Sequence, residues 1–462
     1  MKTPAFTSGA LLILAAVSAP SASLAAVGPA PRATLSISVN SVTNSVQVNI
    51  SDAGNHSWVL QSSRNYVDWN ELATVKIYNG SFQHGFPGDA SASGVFFRAM
   101  FDATRPEVLS TTENALHLPA IPFGYAATPL PPSFLVQPIL AQDNMPASNV
   151  TTDAGATLGR VLFYDKRLST NLNISCSSCH QQEHGFSDPR RFSTGFNGGL
   201  TGRNSMGLSN ARWYQRRHFF WDERAATLED QVLQPIQNAV EMGMTLDALT
   251  NRLAAEPYYT KLFTKTFGTP AVTSDRISAA LAQFVRSIIS TRSKYDTGLG
   301  RGFTNFTAQE DLGRRIFLGQ VGNATCAACH GTDNFVPGPA INNNGLEFPY
   351  VDRGLGGITG LAGDNGKFKV PSLRNIELTA PYMHDGRFAT LDEVVEFYNS
   401  GVVDNPNLSA PLRNPPGPGQ SPGARRLNLT AAQKAALVAF LKTLTDPTLA
   451  TSERFSDPFN YR

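Results

Sequence analysis

Cysteine is scarce in this chain of 462 residues: there are four, too few for a disulfide-dense scaffold. Charge is thin as well. Asp, Glu, Lys and Arg make up 16% against the usual quarter, and 38 basic residues nearly cancel 36 acidic ones to leave a formal charge of +2. No Lys/Arg-rich run stands out, which removes nucleic acid as an expected partner. No apolar run in the body of the chain reaches the roughly eighteen residues that span a bilayer, so no membrane span is expected. Glycine (38) and proline (30) are plentiful, which suits loop-rich domains wrapped around something apolar. The length allows about two to four domains, each able to bury a core.

The N-terminus has the pattern of an export signal. Lys2 is followed by an apolar run from Ala10 to Val17 and by small residues ending Ser23-Leu24-Ala25, so residues 1–25 read as a cleaved signal peptide and the mature protein as periplasmic.

The four cysteines form Cys176-Ser177-Ser178-Cys179-His180 and Cys326-Ala327-Ala328-Cys329-His330. C-x-x-C-H is the attachment pattern of c-type haem: two thiols add to the vinyl groups and the adjacent histidine supplies a nitrogen to iron. Two disulfides, a redox dithiol or a zinc site could also use paired cysteines, but each leaves both histidines unexplained. The surroundings repeat too. Leu158-Gly159-Arg160 precedes the first motif and Leu312-Gly313-Arg314 the second, which implies two related haem domains in tandem.

Helix signals accompany the repeat. Thr307 with Glu310 and Thr430 with Gln433 read as capping boxes, and Ser274 as the cap of a helix whose Ile277, Leu281, Phe284 and Ile288 recur at helical spacing. In the first hundred residues Leu35, Ile37 and Val39, then Val46, Val48 and Ile50, alternate with polar residues as in strands. The expected architecture is mainly α. Residues 32–103 read as a small β-sandwich, 104–135 as a Pro-rich linker, 136–297 as a first cytochrome c-type haem domain and 298–450 as a second. Pro415–Pro422 reads as a surface loop.

From about residue 130 to 450 the chain resembles the bacterial dihaem cytochrome c peroxidase and MauG family. The resemblance rests on the two haem motifs in order, Phe220-Trp221-Asp222-Glu223-Arg224-Ala225, Gln231, the stretch Pro235 to Met244, Val370 to Asn375, and Thr379 to Gly386. It implies two covalently bound haem c groups, with His180 the axial ligand of a peroxide-reactive haem and His330 that of the second. It further implies Trp221 as a relay between the haems, Glu241 and Gln231 as distal pocket residues, and His384 as a haem propionate contact. Asn204, Thr379 and Pro381 match positions that hold a calcium ion in the family. His184 reads as a haem-edge or surface residue, and His218 as part of a solvated basic cluster.

Two departures matter. Phe196 falls where ordinary members carry a histidine that caps the resting first haem, and phenylalanine cannot ligate iron. Tyr398 falls where they carry a methionine on the second haem, as tyrosine does in MauG. Met383 is the only methionine after Cys329, and it lies in the turn before His384. A thioether favours reduced haem, whereas phenolate favours the oxidised states. The tryptophan that precedes the second motif in MauG is absent, with Ala324 in its place. The leading expectation is a MauG-like peroxidase that reacts with hydrogen peroxide and oxidises an aromatic residue of a partner protein. The alternatives are peroxide reduction fed by a small cytochrome or copper protein, and a non-catalytic dihaem electron carrier.

Overall fold

The computed structural model describes residues 34–40, 45–52, 57–63, 67–76, 80–87, 96–101, 115–324, 326–336, 341–414 and 423–460. The stretch read as a signal peptide and the stretch Pro415–Pro422 read as a surface loop lie outside these residues. The chain divides into two compact units, Met1–His117 with Phe459–Arg462, and Leu118–Pro458.

Among the described residues the smaller unit has six strands: β1 (Thr34–Asn40), β2 (Ser45–Asp52), β3 (Ser57–Ser63), β4 (Asn70–Lys76), β5 (Gly80–Pro87) and β6 (Phe96–Phe101). They form two antiparallel three-stranded sheets, ordered β1-β2-β5 and β4-β3-β6. The register sets Leu35 opposite Ile50, Ile37 opposite Val48 and Val39 opposite Val46, the pairing that a period-two apolar pattern demands.

The larger unit is mainly helical. Its principal helices are α1 (Asp153–Tyr164), α2 (Leu228–Gln237), α3 (Ser274–Ser287), α4 (Ala308–Phe317), α5 (Leu391–Glu396) and α6 (Ala431–Lys442). Both capping boxes form, Thr307 with Glu310 and Thr430 with Gln433. The cap of α3 is Thr273 rather than Ser274. Thr273 keeps extended backbone and accepts from the Arg276 N–H, while Ser274 is already helical.

The Leu-Gly-Arg repeat has a packing cause. Helix α1 packs on α3, and α4 packs on α6. At the first crossing a Cβ on Gly159 would stand 2.0 Å from the Ala280 carbonyl oxygen and 2.7 Å from the Phe284 Cβ. At the second, a Cβ on Gly313 would stand 1.9 Å from the Ala436 carbonyl oxygen and 2.8 Å from the Phe440 Cβ. Only glycine lets the helix backbones come this close. The two crossings bury Phe284 and Phe440, at about 1.5–3 kcal/mol each.

The Pro-rich stretch read as a linker contributes to the core of the larger unit. Tyr125 is 2% exposed and donates its hydroxyl to the Arg454 carbonyl at 2.5 Å, and Phe134 stands edge-on to Trp213 with ring centroids 4.8 Å apart. Two ion pairs made by buried arginines tie distant segments together: Arg374 grips Asp296 through two bonds of 2.8 Å, and Arg286 grips the partly exposed Glu229 at 2.6 and 2.9 Å. Among the described residues no helix is long and apolar enough to cross a membrane.

Candidate active site

One cavity of about 880 Å³ in the larger unit is lined by all four cysteines, His180 and His330. The first motif opens with a 3-10 turn, Cys176–Ser178, and the second is a short helical turn, Cys326–His330. The cysteines are unpaired, and burial pushes the Cys176 and Cys326 thiols up to about 12, so both are neutral. Among the described residues no three His, Cys, Asp or Glu side chains converge as a zinc site would require.

The two histidines are held alike. His180 Nδ1 lies 2.8 Å from the Phe186 carbonyl oxygen and His330 Nδ1 lies 3.0 Å from that of Phe335. A carbonyl can only accept, so Nδ1 carries the proton and Nε2 keeps its lone pair. Burial lowers both pKa values, that of His330 to about 4, which keeps the imidazoles neutral as iron ligation requires. Phe186 and Phe335 reach these carbonyl positions with φ of 62° and 54°. A phenylalanine five or six residues after each motif histidine was available as a sequence signal for this second contact. Large apolar space, paired thiols and oriented imidazoles fit two haem c groups.

Glu241 and Gln231 line the cavity, Gln231 from α2 and Glu241 from the turn that follows it. Burial raises the Cys176 and Cys179 pKa values, and the Glu241 carboxylate, on the same cavity wall, adds to the rise. Burial raises its own pKa, and Arg224 opposes the shift. Phe196 sits one layer back. Its N–H donates to the Glu241 carbonyl at 2.9 Å, and its ring lies where a side chain on Gly243 would be.

Trp221 lines the cavity, donates from Nε1 to the Asn204 carbonyl at 2.8 Å, and meets the His384 ring edge-on at 6.4 Å. His384 is buried, stacked on Phe368 at 3.8 Å, with Nε2 3.9 Å from Asp352. Arg203 anchors this group by pairing with both Asp222 and Asp352. Asn204 gives its side-chain N–H to the carbonyls of Arg190 and Arg191, which turns its oxygen the other way, and Asn204, Thr379 and Pro381 all line the cavity. An amide oxygen and two carbonyls are hard donors suited to calcium.

Tyr398 leaves α5 on a π-helical turn, Phe397–Gly401, and reaches the cavity beside the second motif. Burial pushes its phenol up to about 12; a bond from Asn344 opposes this, and Cys329 and Cys326 add to it. Asn344 is a site residue that sequence reasoning missed, since nothing local marks it. Its Nδ2 lies 3.5 Å from the Tyr398 hydroxyl and 3.5 Å from the Met383 sulfur. Met383 therefore does more than fill a turn: its sulfur and the Tyr398 hydroxyl share one amide. His184 does not line the cavity, and His218 is exposed with Nδ1 2.6 Å from the Arg216 carbonyl oxygen.

The sequence model of the family described as di-haem cytochrome c peroxidase matches residues 153–302. The methylamine utilization protein MauG of Methylophilus methylotrophus is 30% identical over 65% of this chain and 86% of its own length. Cytochrome c551 peroxidase of Nitrosomonas europaea is 36% identical over 63% of this chain and 79% of its own. A crystal structure of a MauG-like protein associated with microbial copper homeostasis superposes with a TM-score of 0.60 and 36% identity, over 70% of this chain and 98% of that one. Two attachment motifs on one cavity, oriented histidines and these likenesses agree: the chain belongs to the dihaem cytochrome c peroxidase and MauG family, and is a haem peroxidase-type oxidoreductase.

Proposed function

We propose that the chain is a periplasmic, MauG-like peroxidase of two tandem cytochrome c domains, which takes oxidising equivalents from hydrogen peroxide and uses them on an aromatic residue of a partner protein. In this reading Cys176 and Cys179 hold the first haem and His180 binds its iron, while Cys326, Cys329 and His330 serve the second. When bound, the haem pair supplies the redox chemistry: it accepts two oxidising equivalents from peroxide. The protein's own side chains do the rest. Glu241 takes the proton from peroxide and returns it to the leaving oxygen, and burial, which raises its pKa, makes it a better proton acceptor than an exposed carboxylate. The Gln231 amide orients the peroxide. Phe196, packed on Gly243, would offer no ligand atom to an iron held by His180. Trp221, pinned by Asn204, carries electrons between the two sites. His384 binds a propionate, and Asn204 with the Thr379 and Pro381 carbonyls holds one calcium ion. The two small sheets pack as a sandwich that docks or spaces the protein.

The observation that carries the MauG-like branch is the Tyr398 hydroxyl, buried beside Cys326 and Cys329 and oriented by Asn344. Bound to the second iron as phenolate, Tyr398 would be a hard donor that favours oxidised states able to await a bulky substrate. A second reading, peroxide reduction fed by a small cytochrome or copper protein, is favoured by the Met383 sulfur on the same amide, since a thioether ligand suits electron entry. Resting-state spectroscopy of the fully oxidised protein separates the two. The first requires one high-spin five-coordinate haem and one low-spin haem with no methionine-to-iron charge-transfer band. Two six-coordinate haems, or that band, would overturn it.

A further inference from the structure

Ala324 leaves this chain without the tryptophan by which MauG passes oxidation outward, so any such path must run elsewhere. Tyr214 is 2% exposed and is among the residues lining the haem cavity. Its hydroxyl donates to Glu223 Oε1, and the other carboxylate oxygen is held by Arg216 Nε at 2.7 Å. Glu223 is buried, whereas the Arg216 side chain is 30% exposed, so the carboxylate connects a buried phenol to the surface. On its other side Tyr214 reaches Trp221 through one residue. Lys369 gives its main-chain N–H to the Trp221 carbonyl at 2.8 Å and sets its ammonium 3.7 Å from the Tyr214 ring centroid.

A phenol bonded to a buried carboxylate is often only a satisfied core group. This one adds three properties that such a group does not need. It lines the cofactor cavity, it is linked through Lys369 to the main chain of Trp221, and its proton acceptor is paired with a partly exposed arginine. Burial lowers the Lys369 pKa to about 7 and Glu223 opposes the shift, so near neutrality the amine over the ring face carries its charge only part of the time. In its charged form it opposes the positive charge that would remain on the ring if an electron left alone, and so favours loss of the proton with the electron.

We infer that Tyr214 is a proton-coupled redox relay, through which oxidising equivalents leave the haem cavity for a partner protein. The inference rests on the peroxidase reading above. One electron passes from the Tyr214 ring toward Trp221 and the peroxide-oxidised haem pair. The phenolic O–H bond breaks and its proton goes to Glu223 Oε1, leaving a neutral tyrosyl radical. Hydrogen peroxide, the oxidant, is reduced to water and supplies two equivalents, of which this step uses one. An electron from an oxidisable aromatic residue of the partner, with the proton from Glu223, restores the phenol.

The test is electron paramagnetic resonance of the full-length holoprotein, freeze-quenched after stoichiometric peroxide, with optical spectra of the same samples. Wild-type protein should give a tyrosine-type radical signal that narrows when tyrosine is ring-deuterated. Tyr214→Phe should lose it. Glu223→Gln, which keeps the shape but removes the proton acceptor, should form it at least tenfold more slowly. The same signal in Tyr214→Phe overturns the relay, as does its absence from wild-type protein whose haem spectrum shows peroxide oxidation. No optical change in wild-type protein would instead overturn the peroxidase reading, and the relay with it.

Discussion

Replacing Gly313 by alanine should destabilise the larger unit through a single contact. The new Cβ would lie 1.9 Å from the Ala436 carbonyl oxygen, where an ordinary carbon-to-carbonyl contact is about 3.3–3.6 Å, so α4 and α6 must part by about 1.5 Å. Overpacking costs about 1–3 kcal/mol, and here the obstacle is main chain on a capped helix that cannot swing aside. Separation also loosens Phe317 and Phe440, whose rings now sit 5.1 Å apart. Against this, alanine gains about 1 kcal/mol over glycine as a helix former. With the overpacking cost near its upper end because the obstacle is main chain, the net expectation is a loss of about 2 kcal/mol, or several degrees in Tm at about 2–4 °C per kcal/mol. Circular dichroism at 222 nm, followed with Soret absorbance on the holoprotein, measures it. Gly363→Ala is the control, since its Cβ would meet nothing within 4 Å and should leave Tm unchanged or slightly raised. A Gly313→Ala protein as stable as the control would refute close helix approach as the reason for the repeat.

Glu241→Gln should slow the reaction with peroxide by about 10²–10⁴-fold in stopped-flow measurements, the range of a lost general base. Because burial raises the Glu241 pKa, the wild-type rate should already fall with acidification above the ordinary carboxylate range, and the variant should lack that limb. Glu229→Ala would strand the Arg286 guanidinium, 2% exposed, and should cost about 3 kcal/mol in urea unfolding. Burial pushes the Glu229 pKa up, but the bonds from Arg286 more than offset it and leave it lowered. Its contribution is therefore complete above the unfolded carboxylate pKa of about 4.3 and is lost as pH falls through the lower folded value. Unchanged acid stability in the variant would count against that pair.

The parts of this protein that can be read from sequence are those whose chemistry is local. A thiol pair with its histidine, or a threonine three residues before a glutamate, declares itself within one turn. The glycine repeat is visible in the sequence, but its reason is not, because Ala280 and Ala436 are far away along the chain. Ser274 and Thr273 are adjacent and chemically alike, so composition cannot choose between them and backbone conformation does. The stretch from Pro119 to Pro132 reads as a spacer by composition, yet Tyr125 and Phe134 find partners near residues 454 and 213. Asn344 and Lys369 carry no local mark, and only the fold brings them to Tyr398 and Tyr214.

Trp221 uses its indole N–H on the main-chain carbonyl of Asn204, a group with no capacity to accept a proton. An indole in that position that gives up an electron keeps its hydrogen and holds the charge, unlike Tyr214 beside Glu223. Along the proposed path, charge alone moves through position 221. The ring can then be reset by an electron at any moment, without waiting for a proton to find its way back.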